Sequence, residues 1–281
     1  MIRIITDSAA DFELWELEKL NITCIPLVVM FEQAEYRENV NLSKGEFYEL
    51  LAASKTLPKT AQASPQILLD LFEEAKAAGD EAIYICLSSA LSGTYQSAVM
   101  TKNLADSEQL YVVDSLNATG GQRMLVEYAV KLRDEGKSGA EIAAAVEALR
   151  SRVTLYACMD TLENLYRGGR ISQTAYTLGT MAQIKPIIQV NTTGQVTVPA
   201  KAMGMKKGAE HLCKLVEKTP PDENFPFYVM YTDNRQNGEN LAVRFRDLGY
   251  HIPDSRIIRV GAAIGTHIGR NAIGYVYVAK E

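Results

Sequence analysis

The stretch AIYICLSSALSGTYQSAVMTKNLA (82–105) holds the architecture in miniature. Residues 82–86 are an apolar, β-rich run without polar alternation, the pattern of a strand covered on both faces. Residues 95–105 read as a helix. Between them LSSALSGT (87–94) carries three serines, a threonine and a glycine. A strand that runs through a hydroxyl-rich turn into a helix predicts a parallel sheet, and such sheets bind ligands beyond the carboxyl ends of their strands. Two further stretches repeat the order, TDSAAD (6–11) after RIITD (3–7) and VDSLNAT (113–119) after QLYVVD (109–114).

The turn hydroxyls have two readings. As N-caps they accept the free first-turn amides of a helix. One helix needs one cap, however, and Ser92-Gly93-Thr94 comes after Ser88-Ser89. As an anion seat, Gly93 would let a ligand approach the backbone, and the helix N-terminus supplies donors and positive potential.

Outward from this stretch, helices are expected at 13–20, 44–54, 65–78, 119–135 and 139–150. Ser43 with Glu46 forms a capping box, and Ser64-Pro65 is a helix start. ITCIPLVVMF (22–31) is an extended run. Beyond residue 150 the order changes: VTLYACM (153–159), QIKPIIQV (183–190), an NTTG turn (191–194), QVTVPA (195–200), a helix at 206–218, then FYVMY (227–231), SRIIRV (255–260) and IGYVYVA (273–279). The expected fold is α/β in two domains. Residues 1–155 would form an α/β/α domain with a mainly parallel sheet, and 156–281 an α+β domain with a mixed sheet. The ligand cleft would lie between them.

The chain has 281 residues, 47% of them hydrophobic, enough for two cores. A formal charge of −5 gives no basic field for nucleic acid. The four cysteines form no CxxC, and the histidines stand only at 211, 251 and 267, so no metal site is expected and the thiols read as reduced. The N-terminus enters a strand at once, and the longest apolar stretch, IPLVVMF (25–31), falls far short of the ~20 residues of a spanning helix. A cytoplasmic protein without stable membrane insertion is expected. There is no Walker A loop and no G-x-S-x-G elbow, and no cofactor is implied. DNRQNGENLAVR (233–244) would place Arg235 and Arg244 at ligand positions of a calcium loop, which excludes one.

Two other motifs stand out. GAAIGTHIGRNAIG (261–274) spaces glycines every four residues, on one face of a helix, around His267 and ahead of Arg270. LENLYRGGRIS (162–172) sets Gly168-Gly169 between Arg167 and Arg170, a basic turn suited to an anion or a partner.

DSAAD (7–11), KTAQAS (59–64), SSALSGTYQSA (88–98), LENLYRGGRIS (162–172), IKPII (184–188) and GTHIGRNAIG (265–274) occur in the order of a known family. Over nearly its whole length the chain resembles the DegV family, the fatty-acid-binding subunits of bacterial fatty acid kinases. The resemblance implies a long-chain fatty acid buried between two α/β domains. Its carboxylate would be held by Thr60, Ser92, Gly93 and His267 and presented to a separate ATP-dependent kinase subunit for acyl-phosphate formation. The chain itself would be a carrier, not an enzyme, touching membranes only transiently to exchange lipid. About fifteen buried methylenes would contribute roughly 12 kcal/mol before ordering costs, so the head-group contacts fix orientation more than affinity. A bound carboxylate would raise the pKa of His267. Arg167 and Arg170 are the candidates for contacting the kinase.

The sequence departs from the family pattern at Ala61 and Ala63, at Met203 where relatives carry arginine, and at Arg270-Asn271 where they carry Pro-Gly. Arg270 is therefore expected to supply the missing head-group cation. The alternatives are an acyl hydrolase using a serine and His267, and a carrier of another amphiphile with no kinase partner.

Overall fold

A computed structural model describes residues 1–32, 34–177 and 183–281. The first half is built on a four-stranded, all-parallel sheet in the order Ile22–Ile25, Ile2–Asp7, Glu81–Cys86, Leu110–Asp114. Strand alternation divides its core in two. Ile83, Ile85 and Val113 face helices Thr119–Asp134 and Gly139–Leu149, while Ala82, Tyr84 and Cys86 face helices Pro65–Ala78 and Thr94–Ala105. The expected starts are in place. Ser43 and Glu46 close a capping box on helix Lys44–Ala53, and the Ser64 hydroxyl accepts from the Gln66 amide ahead of Pro65.

The second half carries a six-stranded mixed sheet in the order Val196–Met203, Ile184–Val190, Val153–Cys158, Ile273–Val278, Tyr228–Tyr231, Ile257–Arg259. Only the last pair is parallel. Helices Gly204–Lys218 and Arg235–Asp247 cover one face. The other face, with Leu155, Val190, Met230 and Val276, joins the core of the first half. Here Gly120 meets the sheet so closely that a Cβ would stand 2.7 Å from Val276 Cγ1 and 2.9 Å from Met230 Sδ. The edge strand runs three residues past its expected end, with Pro199 beside a register shift between Thr197 and Ala200, the place an edge strand tolerates proline.

The extended run at 22–31 is two strands. Pro26 ends the ladder of the parallel sheet, and Val28–Phe31 belongs to a third, antiparallel sheet between Ala34–Arg37 and Lys59–Ala61. That small sheet and helix Lys44–Ala53 share a core of Val29, Phe31, Phe47 and Tyr48, which also takes in Ala262. The sequence predicts no strand at Lys59–Ala61, since three residues carry too little periodicity to mark one. No helix among the described residues is long and apolar enough to cross a membrane.

Candidate functional site

A cavity with about 880 Å³ of non-atom space, the open solvent at its mouth included, lies between the parallel sheet and the mixed sheet. Its wall is apolar along most of its length, with Leu87, Leu155, Ile188, Val190, Val260 and Ile264 drawn from both halves of the chain. Two of its hydroxyls are already engaged, since Thr119 donates to Asp11 and Thr232 accepts from the Ala272 amide. The polar lining that remains gathers around Thr60, Ser92, Arg170 and His267.

Each of these four is placed by a different element. Thr60 is the middle residue of strand Lys59–Ala61, opposite Val29. Ser92 ends the turn after strand Glu81–Cys86, where its hydroxyl contacts Thr94 Oγ1 at 2.8 Å and accepts from the Thr94 amide at 3.3 Å. His267 sits in the last turn of helix Ala262–Ile268, with Nε2 2.9 Å from Thr60 Oγ1. Arg170 reaches in from the turn after helix Glu163–Arg167, anchored by its bond from Nε to the Leu91 carbonyl at 3.0 Å and by a second bond to Gly168 O.

Gly93 is the N-cap of helix Thr94–Ala105 and exposed beside Ser92, but unlike Ser92 it does not line the cavity. The other serines of the turn have separate work. Ser88 donates to the Gly194 carbonyl at 2.9 Å, tying the turn to the hairpin of the second half, and it accepts from the Ala90 amide. Ser89 is held through its amide by Asp114.

The two glycines of the basic turn serve different ends. Gly169 takes a positive φ of 75°, which closes the turn. Gly168 admits the imidazole, since a Cβ there would lie 2.4 Å from His267 Nδ1. The arginines on either side part company. Arg170 faces the cavity, whereas Arg167 is 61% exposed and pairs with Glu163 at 2.5 Å.

Arg270 stands elsewhere than its expected place. Its guanidinium forms a 2.6 Å ion pair with Asp233, which also accepts from the Asn271 amide, and its side chain is 48% exposed. The side chain does not join the cavity wall; Arg170 is the cation that does. Met203 is also exposed. Burial, and then the charge of Arg170, push the pKa of His267 down to about 4, so the ring is neutral at physiological pH.

Three acids are buried near these elements: Asp7 and Asp11, the two ends of the DSAAD motif, and Glu38, which lies in no motif. Asp7 accepts from the Leu87 and Ala9 amides, Gln122 and Tyr84, and thereby joins two strand ends. Burial raises its pKa above the carboxylate range. Asp11 and Glu38 meet the start of the His267 helix and are pushed up to about 6 and about 7, chiefly by burial.

A family profile described as "Uncharacterised protein, DegV family" matches residues 1–280. The chain belongs to the DegV family. A DegV domain-containing protein of Caldanaerobacter subterraneus subsp. tengcongensis is 33% identical over 282 residues, 99% of each chain. Among solved structures, a DegV family protein of Thermus thermophilus described as fatty-acid-binding superposes with a TM-score of 0.87 at 28% identity, over 99% of each chain. DegV of Bacillus subtilis, described as a fatty acid binding protein, superposes with 0.83 at 29%, again over 99% of each. These DegV proteins share the two-domain α/β architecture found here.

Proposed function

We propose that the chain binds one long-chain fatty acid in the cavity between its halves and presents the carboxylate to a separate kinase subunit. The observation that carries this reading is the cavity itself, a long apolar wall that converges on Thr60, Ser92, Arg170 and His267. A buried carboxylate without partners is costly, and two hydroxyls, an imidazole and a guanidinium answer that cost. An apolar tail needs only the wall. The fatty-acid-binding descriptions of the Thermus and Bacillus proteins support the same ligand class.

In this reading His267 and Thr60, 2.9 Å apart, turn part of their hydrogen bonding to the ligand. Ser92 and the first-turn amides beside Gly93 receive the second oxygen, and Arg170 supplies the charge that Arg270, paired with Asp233, does not. Arg167, exposed on the rim, contacts the kinase. A hydrolase would need Ser92 on the imidazole, but Ser92 pairs with Thr94 and the imidazole with Thr60, an arrangement that favours holding a carboxylate over attacking an ester.

Titration with [1-13C]oleate tests the reading. One equivalent should bind, with a carboxyl resonance distinct from free ligand. Ser92→Ala and His267→Ala should each weaken binding by about tenfold, the effect of one charge-assisted hydrogen bond. Unchanged affinity in both variants would place the head group elsewhere.

A further inference from the structure

Helix Ala262–Ile268 is held to the small antiparallel sheet and its helix at three levels. At the last turn His267 meets Thr60. At the middle Gly265 lies against helix Lys44–Ala53, where a Cβ would stand 2.6 Å from Phe47 Cε1 and 2.8 Å from the Tyr48 hydroxyl oxygen. At the first turn the Glu38 carboxylate accepts from the Ala262 amide, from the Ala263 amide at 3.3 Å and from the Ser8 hydroxyl at 2.7 Å. Glu38 directly follows strand Ala34–Arg37, and its own amide bonds the carbonyl of Leu27, a wall residue of the cavity. Asp11 takes the Gly261 amide at 2.8 Å alongside. Both acids are 1% exposed.

We propose that Glu38 is a positioning residue for the carboxylate site: it fixes the first turn of the His267 helix to the sheet that carries Thr60, and so sets where the imidazole stands. The proposal rests on the fatty-acid reading above. Once a head group draws on Thr60 and His267, their mutual bond no longer holds the helix, and the Glu38 end keeps its register. A charged carboxylate does this better than a neutral group, because its bonds to first-turn amides are stronger and the helix dipole adds to them.

That charge is maintained against the stability of the fold. The groups facing Glu38 are Asp11, Lys44, Tyr48 and Cys24, with Asp7 nearby and His267 on the anchored helix itself. Lys44 directs its ammonium to the Asp11 carbonyl and Glu13, each at 2.8 Å, so among the described residues no cation bonds the Glu38 carboxylate. Folded-state acidity raised to about 7 means that stability present below the ordinary value of 4.5 is lost as the pH rises through about 7. A glutamine should therefore fold more stably there and bind less well, an opposition typical of functional sites.

The test measures melting temperature and [1-13C]oleate affinity for the full chain and for Glu38→Gln between about pH 5.5 and 8.5. At the upper end the variant should melt a few degrees higher yet bind about tenfold more weakly. At the lower end, with Glu38 protonated in the parent, the two affinities should converge to within about twofold. A Ser8→Ala variant, which removes one bond to the carboxylate, should move that convergence to higher pH. Equal affinities at the upper end, an affinity ratio independent of pH, or a Ser8→Ala profile that does not move would each overturn the role of Glu38. Failure of the parent protein to bind oleate at all would overturn the fatty-acid reading beneath it.

Discussion

At the scale of single residues the site depends on close approaches that allow little substitution. Gly168 is one: alanine there would drive a methyl into His267, so Gly168→Ala should displace the ring and weaken fatty-acid binding about as much as His267→Ala does. Comparison of the two variants by oleate titration checks this. His267 gives a second prediction. Its folded-state pKa is depressed, so the neutral ring is favoured and stability is lost as the pH falls from the ordinary value of 6.5 through about 4. A ligand carboxylate reverses the balance, and NMR titration of the imidazole should show a higher pKa with oleate than without. The sequence exposed some of this and hid the rest. Thr60, Ser92 and His267 were legible because each lies in a motif of the family. The contrast between Arg170 and Arg270 was not, because both follow glycines in basic turns and only the fold decides which guanidinium meets Asp233 and which meets the cavity. Glu38 sits in AEYRENV (34–40), a polar stretch in which nothing local marks one acid as buried.

At the scale of elements the His267 helix, only seven residues long, has no stability of its own and takes its position from its neighbours. Gly265→Ala should cost about 1–3 kcal/mol through overpacking against Phe47 and Tyr48, and the same shift should loosen the head-group site. Denaturant unfolding and oleate affinity measured on one preparation check both halves of that statement. Ser43→Ala, at the start of the supporting helix, should cost about 1 kcal/mol with little change in affinity, because the cap is remote from the cavity. Helices and parallel strands were readable from their caps and apolar runs. The small sheet was not, because Pro26 divides one continuous apolar run between two sheets, and strand Lys59–Ala61 exists only through its long-range pairing with Val28–Met30.

For the whole molecule the ligand site and the join between the halves are one surface. The cavity wall draws on both, Ser88 reaches the Gly194 carbonyl across the boundary, and Gly120 packs against Val276. A bound fatty acid should therefore stabilise both halves together. Ligand at about one hundred times its Kd should add roughly 2.7 kcal/mol and raise a single calorimetric transition, not one of two. The most direct test of the central claim is native mass spectrometry of the purified chain, followed by solvent extraction and identification of whatever is released. The account predicts one long-chain fatty acid per chain, lost from the Ser92→Ala/His267→Ala double variant. An empty protein that takes up no added fatty acid, or a bound lipid retained in full by the double variant, would contradict it.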